Sequence, residues 1–303
     1  MISIKKILCP VDFFPAAEMA VNYATGLAAH YEAKVHLLHV VNAVIPAQEF
    51  AVNTGELMKV MEDNAREEMA TLVTKVTAER IPVDSEVRVG DVHDEIKRAI
   101  DVLKPDLVVM GTHGRRGPER WFLGSTTERL LRHSPVPLLT IRASEEPITE
   151  PRFQRILVTT DFSEGTTDTL RYAFSMAQEH DSRITLLHVI SDVSADLSGK
   201  YRDALAKGIA HGLEDLVPAE ARNWCDVATS VKTGMPYQVI LNTLEDEKID
   251  LLVMNIHGKG RLDRALLGST AERVVRAARC PVMLIPPLRE SNKEAHPGGR
   301  SAA

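Results

Sequence analysis

The sequence of 303 residues has few aromatic residues and cysteines, no excess of positive charge and no long apolar run. Its formal net charge of -6 argues against a protein built to bind nucleic acid or an anionic membrane. No apolar run approaches the length that crosses a bilayer, and the amino terminus lacks a signal-peptide pattern, so we expect a cytoplasmic protein. The three cysteines, Cys9, Cys225 and Cys280, are odd in number and far apart, which predicts buried thiols and not disulfides or metal ligands.

The chain repeats itself. Residues 7–13 (ILCPVDF) return at 156–162 (ILVTTDF), and residues 35–40 (VHLLHV) return at 184–189 (ITLLHV), both with an offset of 149. Later matches, such as Gly90 with Gly234 and Gly124 with Gly268, are offset by 144. Five residues are therefore missing from the second copy, in the second helix or its connections. A period this long indicates two duplicated domains and not a solenoid.

Apolar periodicity predicts strands that alternate with helices in each copy. In the first copy we expect strands at 5–12, 35–41, 82–89, 106–110 and 137–141, and helices at 15–31, 56–79, 91–103 and 125–132. This alternation is typical of a mostly parallel α/β sheet with helices on both faces. The expected organisation is a first domain at 1–144, a linker at 145–152, a second domain at 153–288 and a disordered tail at 289–303.

The chemistry is concentrated in a glycine-containing loop between the fourth strand and the next helix. Its glycines and serine are spaced Gly-x2-Gly-x9-Gly-Ser, as Gly111, Gly114, Gly124 and Ser125. This spacing matches neither a P-loop nor the dinucleotide fingerprint. Glycines at 111 and 114 could adopt positive φ and let a ligand approach the backbone, while the helix start offers free N–H groups and its dipole to an anion.

In this strand-loop-helix context the spacing resembles the ATP-binding motif of the universal stress protein family. The resemblance covers nearly the whole chain, twice over. It implies two Rossmann-like domains of the adenine nucleotide alpha hydrolase-like kind, each a five-stranded parallel sheet of order 3-2-1-4-5. That order places a ligand crevice between the first and fourth strands, at their carboxyl ends.

The resemblance also implies the site residues. Those of the first copy are Pro10, Asp12, Val40, Gly111, Gly114, Gly124, Ser125 and Thr126. Their counterparts in the second copy are Thr159, Asp161, Val189, Asn255, Gly258, Gly268, Ser269 and Thr270. Asn255 stands where the motif has its first glycine, and we expect its side chain to occupy ligand space. The second site is therefore predicted to bind ATP ten- to a hundredfold more weakly.

Several of these residues also have a purely structural interpretation. Asp12 could serve only as a cap for the turn after its strand. His113 and His257 could simply hold their loops, and no histidine spacing supports a metal site. Six basic residues give the two loops local positive charge that favours a polyphosphate, although at least half are expected to be solvated: Arg115, Arg116, Arg120, Lys259, Arg261 and Arg264.

The resemblance implies a stress-response protein that binds an adenine nucleotide (ATP, AMP or ADP), with or without Mg²⁺. We expect a nucleotide-dependent switch or adaptor with at most slow hydrolysis, because no activated nucleophile or carboxylate pair is evident. One alternative is an ATP-consuming enzyme of the wider nucleotide-binding α/β group, but no glycine-rich run follows the first strand. Another is an interaction protein, or a binder of a small ligand that is not a nucleotide.

The duplication predicts how the copies assemble. Single-domain members of this family commonly dimerise through their last strand, so the two copies should pack as an internal pseudo-dimer. Residues 136–141 should then lie near 282–285, which would also protect both strand edges. A homodimer of the whole chain is left open, and the sequence does not identify a protein partner.

Overall fold

The computed structural model describes residues 2–42, 54–112, 123–143, 152–191, 199–256 and 268–286. The two copies have the same order of elements, in which each of the first four strands is followed by a helix. The elements of the first copy are β1 (Lys6–Val11), α1 (Pro15–Tyr31), β2 (Lys34–Asn42), α2 (Thr54–Ala78), β3 (Val83–Gly90), α3 (Val92–Leu103), β4 (Leu107–Gly111), α4 (Ser125–His133) and β5 (Leu138–Ile141).

The second copy repeats this order with one addition, a 3-10 helix at Ala219–Asn223. Its elements are β6 (Arg155–Thr159), α5 (Thr166–His180), β7 (Arg183–Ile190), α6 (Gly199–Asp215), β8 (Val227–Thr233), α7 (Pro236–Asp246), β9 (Leu251–Asn255), α8 (Ser269–Ala277) and β10 (Val282–Ile285). The five missing residues fall where the repeat predicts, because β2 and β7 begin 149 residues apart (Lys34 and Arg183), whereas β3 and β8 begin 144 apart (Val83 and Val227). The linker and the tail lie outside the described residues.

Within the described residues, all strands belong to one ten-stranded sheet of order β3-β2-β1-β4-β5-β10-β9-β6-β7-β8. Each copy thus has the order 3-2-1-4-5, and neighbouring strands within a copy are parallel. The copies meet at β5 and β10, which pair antiparallel with Leu139 opposite Met283. Because this central pair is antiparallel, the carboxyl ends of the strands in the two copies face opposite directions.

Two apolar layers bury the sheet, one on each face. Alternate residues of a strand enter different layers, so that Ile7 and Cys9 of β1 join the layer under α1 and α2, whereas Leu8 joins the layer under α3 and α4. Both layers include residues from both copies, which makes the core continuous across the β5–β10 junction. Cys9 and Cys225 are buried and Cys280 is half-buried, all as free thiols.

Helices α1 and α5 also join the two copies, on the face where they cover the sheet. The hydroxyl of Tyr31 donates to the sulfur of Met176 at 3.0 Å. The rings of His30 and His180 stack with centroids 4.5 Å apart and planes 14° apart. In the part of the chain that the structure describes, no helix is long and apolar enough to cross a membrane.

Candidate functional site

Each copy opens a crevice at the carboxyl ends of its first and fourth strands. The pairing of β1 with β4 extends only to Leu8 opposite Val108, and that of β6 with β9 only to Val158 opposite Val253. Beyond these residues the strands part, because the chain leaves them toward opposite faces of the sheet. This is the position where ligands bind in open α/β sheets.

The structure brings together the described site residues of the first copy. Gly111 ends β4, and the hydroxyl of Thr127 in α4 donates to its carbonyl oxygen at 3.2 Å. The amide of Gly124 donates to the carbonyl of Thr112 at 2.9 Å, which holds the start of α4 beside the end of β4. Asp12 follows β1, and Val40 lies in the neighbouring strand β2. Gly114 lies outside the described residues.

The amino termini of α4 and α8 have the same geometry in the two copies. Gly124 and Gly268 are the N-cap residues, and neither helix start receives a hydrogen bond from a capping side chain. Ser125 and Ser269 follow as exposed first residues of their helices, with half-buried Thr126 and Thr270 after them. The first N–H groups of a helix have no partner within the helix, so both ends can donate to anionic oxygens.

Two glycines of the motif serve different purposes. A Cβ on Gly111 would lie 2.9 Å from the carbonyl carbon of Ala16 and 3.0 Å from its Cβ, so this glycine lets α1 pack directly on β4. The expectation that Gly111 adopts positive φ is wrong, since Gly234 is the only glycine with positive φ among the described residues. Gly111 is therefore required by packing and not by backbone conformation.

Gly124 has no such internal reason to be glycine. Its φ is -58°, which any residue adopts, and a Cβ there would meet only the carbonyl oxygen of Thr112 at 3.4 Å and the hydroxyl of Thr127 at 3.6 Å. These are ordinary van der Waals distances, so the described neighbours of Gly124 would accept a Cβ at this position. The space that a Cβ would fill lies at the free amino terminus of α4.

Asp12 and Asp161 both hold the turn that follows the first strand of their copy. The Asp12 carboxylate accepts from the amide of Phe14 at 3.1 Å, and that of Asp161 accepts from the amide of Ser163 at 3.0 Å. The structural interpretation of Asp12 is thus present in the fold. Both side chains are half-buried at the crevice.

The second crevice differs most at Asn255, the residue that ends β9. Its Oδ1 accepts a hydrogen bond from the hydroxyl of Thr169 in α5, and its Nδ2 donates to the hydroxyl of Ser163 at 3.3 Å. A Cβ on Gly165 would lie 2.8 Å from Oδ1 of Asn255, so the absence of a side chain at 165 makes room for the asparagine. We expected this side chain in ligand space; instead the structure directs it toward the start of α5.

The two copies therefore pack the same contact in opposite ways. Gly165 occupies the position of Ala16, and Asn255 that of Gly111, so the larger side chain has moved from the helix to the strand.

Of the remaining predicted residues, Thr159 and Val189 lie at the ends of β6 and β7, half-buried at the crevice. Gly258 and the six basic loop residues lie outside the described residues. Within the described residues no three His, Cys, Asp or Glu side chains form a group suited to a metal ion.

The sequence profile of the Universal stress protein family matches this chain twice, at residues 3–142 and 152–286. The chain belongs to the universal stress protein family. Its two matches coincide with the two copies of the fold, so this is a tandem member with both domains in one sheet.

Among tandem relatives, a universal stress protein of Mycolicibacterium smegmatis is 27% identical over 291 residues, which cover 93% of this chain and 97% of the relative. Universal stress protein MJ0531 of Methanocaldococcus jannaschii is 32% identical over 143 residues, or 45% of this chain and 84% of the relative. The crystal structure of a universal stress protein from Archaeoglobus fulgidus has a TM-score of 0.71 at 23% identity and covers 93% of this chain and 96% of that chain. This last likeness supports the fold.

This universal stress protein has one paired feature that sequence reasoning missed. Phe13 and Phe162, just after the crevice aspartates, have φ of 62° and 60°, a left-handed conformation that is rare for aromatic residues. Phe13 stacks on His39 at 4.5 Å, and Phe162 lies 5.1 Å from His188. Both features occur at matching positions of the repeat, and this recurrence was the signal available in the sequence.

The two histidines hold this arrangement at the crevice. Nδ1 of His39 lies 2.8 Å from the carbonyl oxygen of Val11, and Nδ1 of His188 lies 2.8 Å from that of Thr160. A nitrogen that faces a carbonyl oxygen carries the proton, so both rings donate to the backbone at the end of the first strand. Each ring thereby links its own strand, β2 or β7, to the turn that carries the aspartate.

Proposed function

We propose that this universal stress protein binds an adenine nucleotide in its first crevice. The expected ligand is ATP, with AMP and ADP as alternatives. In this proposal the occupied and empty crevices present different surfaces, and the protein acts as a nucleotide-dependent switch or adaptor in a stress response. The stress-response role rests on family membership and not on the site.

Gly124 is the observation that carries the proposal. Neither its backbone conformation nor its packing against the described residues requires a glycine there. A glycine at the amino terminus of a helix lets an anionic group approach the backbone N–H groups closely. An added Cβ would fill the space that a phosphate would need, so the residues present fit a nucleotide.

The roles of the other residues follow from their positions. The N–H groups at the start of α4, with the hydroxyls of Ser125 and Thr126, would donate to phosphate oxygens. Asp12 and Pro10 would contact the adenosine, and the backbone of Val40 would lie beside the adenine, as the family resemblance implies. Mg²⁺, where present, would be held by the phosphates and water, since the described residues offer no cluster of metal ligands.

For the second crevice we propose weaker binding of the same nucleotide. Thr159 replaces Pro10 of the first site there, while the helix start at Gly268 is retained. We further propose that any hydrolysis of the nucleotide is slow. The working unit is then an internal pseudo-dimer of the two copies, which the β5–β10 pair and the α1–α5 contacts support. Binding by two opposed crevices in one continuous sheet suits an adaptor more than a fast enzyme.

Calorimetric titration of ATP into the purified chain and its Gly124→Ala variant tests the proposal. We expect the variant to keep its circular-dichroism spectrum and thermal unfolding midpoint, because the Cβ makes ordinary contacts, and to lose at least tenfold in ATP affinity at one site. Gly268→Ala is the matched variant and should affect only the other site. Unchanged ATP affinity in both variants would refute the assignment, as would an unmodified chain that binds no adenine nucleotide.

A further inference from the structure

The loop that carries Asp161, between β6 and α5, is held by more side-chain hydrogen bonds than its counterpart. The hydroxyl of Thr160 accepts from the amide of Phe162 at 2.9 Å and shares a hydrogen bond with the hydroxyl of Thr166 at 2.8 Å. Asn255 adds two links, to Ser163 in the loop and to Thr169 in α5. Together these contacts tie the loop both to its own helix and to the end of β9.

The first copy has no such links at the matching positions. Its residues there are small or apolar and have no side-chain group that could form these hydrogen bonds: Val11, Phe14, Ala17, Ala20 and Gly111. Buried Ala17 and Ala20 lie where the second copy has buried Thr166 and Thr169. The changes are concerted, since the asparagine, its two hydroxyl partners and the glycine that makes room for it occur together in one copy.

We propose that Asn255 is a positioning residue of the second crevice. It replaces the direct strand–helix contact of the first copy with a hydrogen-bonded link that fixes the Asp161 loop against the end of β9. In the proposed site, Asp161 lies on the adenosine side, and the end of β9 leads into the segment that would surround the phosphates. One side chain therefore fixes the Asp161 loop relative to the end of β9. The inference rests on the proposed nucleotide function.

A positioning residue and a steric block predict opposite changes in ATP affinity when Asn255 is replaced by glycine. A block predicts that Asn255→Gly strengthens ATP binding at the second crevice. A positioning residue predicts weaker binding, because the loop must then be ordered when the nucleotide binds. Of the two hydrogen bonds of Asn255, only the one to Ser163 reaches the loop. Loss of that one hydrogen bond corresponds to a roughly fivefold lower affinity.

The chain itself offers a control that separates positioning from packing. Asn255→Gly alone also leaves a gap beside Gly165, which could weaken the site through instability. The double variant Asn255→Gly with Gly165→Ala recreates the contact between Gly111 and Ala16 in the first copy, so it restores packing without restoring the hydrogen bonds. Any defect that remains in the double variant belongs to the lost link.

Hydrogen exchange in the full chain, measured without ATP and across an ATP titration, tests this proposal. The peptides to follow cover residues 12–16 and 161–165. We expect the double variant to unfold at a temperature near that of the unmodified chain. Its 161–165 amides should exchange faster without ATP, and the ATP concentration that protects them should rise roughly fivefold. Residues 12–16 should behave as in the unmodified chain.

Three results would overturn the proposal. Unchanged exchange and ATP response at 161–165 in the double variant would leave Asn255 a packing residue only. A lower ATP requirement at 161–165 would show that Asn255 obstructs the site. Absence of ATP protection in both segments of the unmodified chain would refute the proposed function itself, and this outcome is distinct from the first two, in which ATP still protects the loops.

Discussion

Replacement of Gly111 by alanine should destabilise the protein because α1 packs directly on this residue. The new Cβ would lie 2.9 Å from the carbonyl carbon and 3.0 Å from the carbonyl oxygen of Ala16. These are backbone atoms of a helix, so they cannot rotate away as the end of a flexible side chain would. The helix as a whole has to shift, and its neighbours in the buried layer, such as Ala20 and Ala24, shift with it.

The expected loss can be worked from the two opposing effects. Overpacking of a buried contact costs about 1–3 kcal/mol. Restriction of the unfolded chain by replacing glycine with alanine returns about 0.4–1 kcal/mol, since the φ of Gly111 is not positive. The free energy of unfolding should therefore fall by about 1–2 kcal/mol in Gly111→Ala.

Ala16→Gly should relieve part of this loss because it makes room for a side chain at 111, just as Gly165 makes room for Asn255 in the second copy. Alone, Ala16→Gly weakens the start of α1 by about 1 kcal/mol. Combined with Gly111→Ala, it removes one of the three close contacts and lets the helix approach. The double variant should therefore lose about 1 kcal/mol less free energy of unfolding than the sum of the two single losses.

Urea unfolding followed by circular dichroism measures all four members of this double-mutant cycle. Gly124→Ala is the control, because its added Cβ makes only ordinary contacts and should change the free energy of unfolding by less than about 0.5 kcal/mol. The reasoning fails if Gly111→Ala is as stable as Gly124→Ala, or if the losses of Gly111→Ala and Ala16→Gly are simply additive.

Three further outcomes are expected. Gly114→Val should abolish ATP binding by the first copy in calorimetry with an unchanged circular-dichroism spectrum, and Gly258→Val should do the same for the second; normal ATP affinity in both would contradict the site. Burial and the nearby His30 lower the pKa of His180 to about 4, so the unfolded chain binds a proton that the folded chain excludes, and thermal stability should decline as pH falls from about 6.5 to about 4. His180→Phe should flatten this decline, whereas His211→Gln, at an exposed position, should leave it unchanged. Protease cleavage between residues 145 and 152 should leave the two copies together in size-exclusion chromatography, since β5 pairs with β10; separate elution would contradict that junction.

Sequence patterns were sufficient for the architecture because it depends on local and periodic properties. Apolar periodicity located the strands and helices to within a residue or two, and Pro15 marked the start of α1. The internal repeat predicted two domains and the place of the length change. The motif lies between a strand and the next helix, so its loop joins the carboxyl end of the strand to the amino end of the helix. The strand order that the family resemblance implies then placed this loop at the crevice.

The role of each glycine was decided only by the tertiary structure. Sequence spacing treats Gly111 and Gly124 alike, but a Cβ on the first would collide with Ala16, whereas a Cβ on the second would make ordinary contacts with Thr112 and Thr127 at a helix start. Asn255 was misplaced for the same reason. Its side-chain direction depends on the space left by Gly165, a residue 90 positions earlier in the chain, and the partners Thr169 and Ser163 come from that distant segment too. Spacing along the chain records the order of residues, whereas the contact between two distant segments exists only once the sheet and its helices are packed.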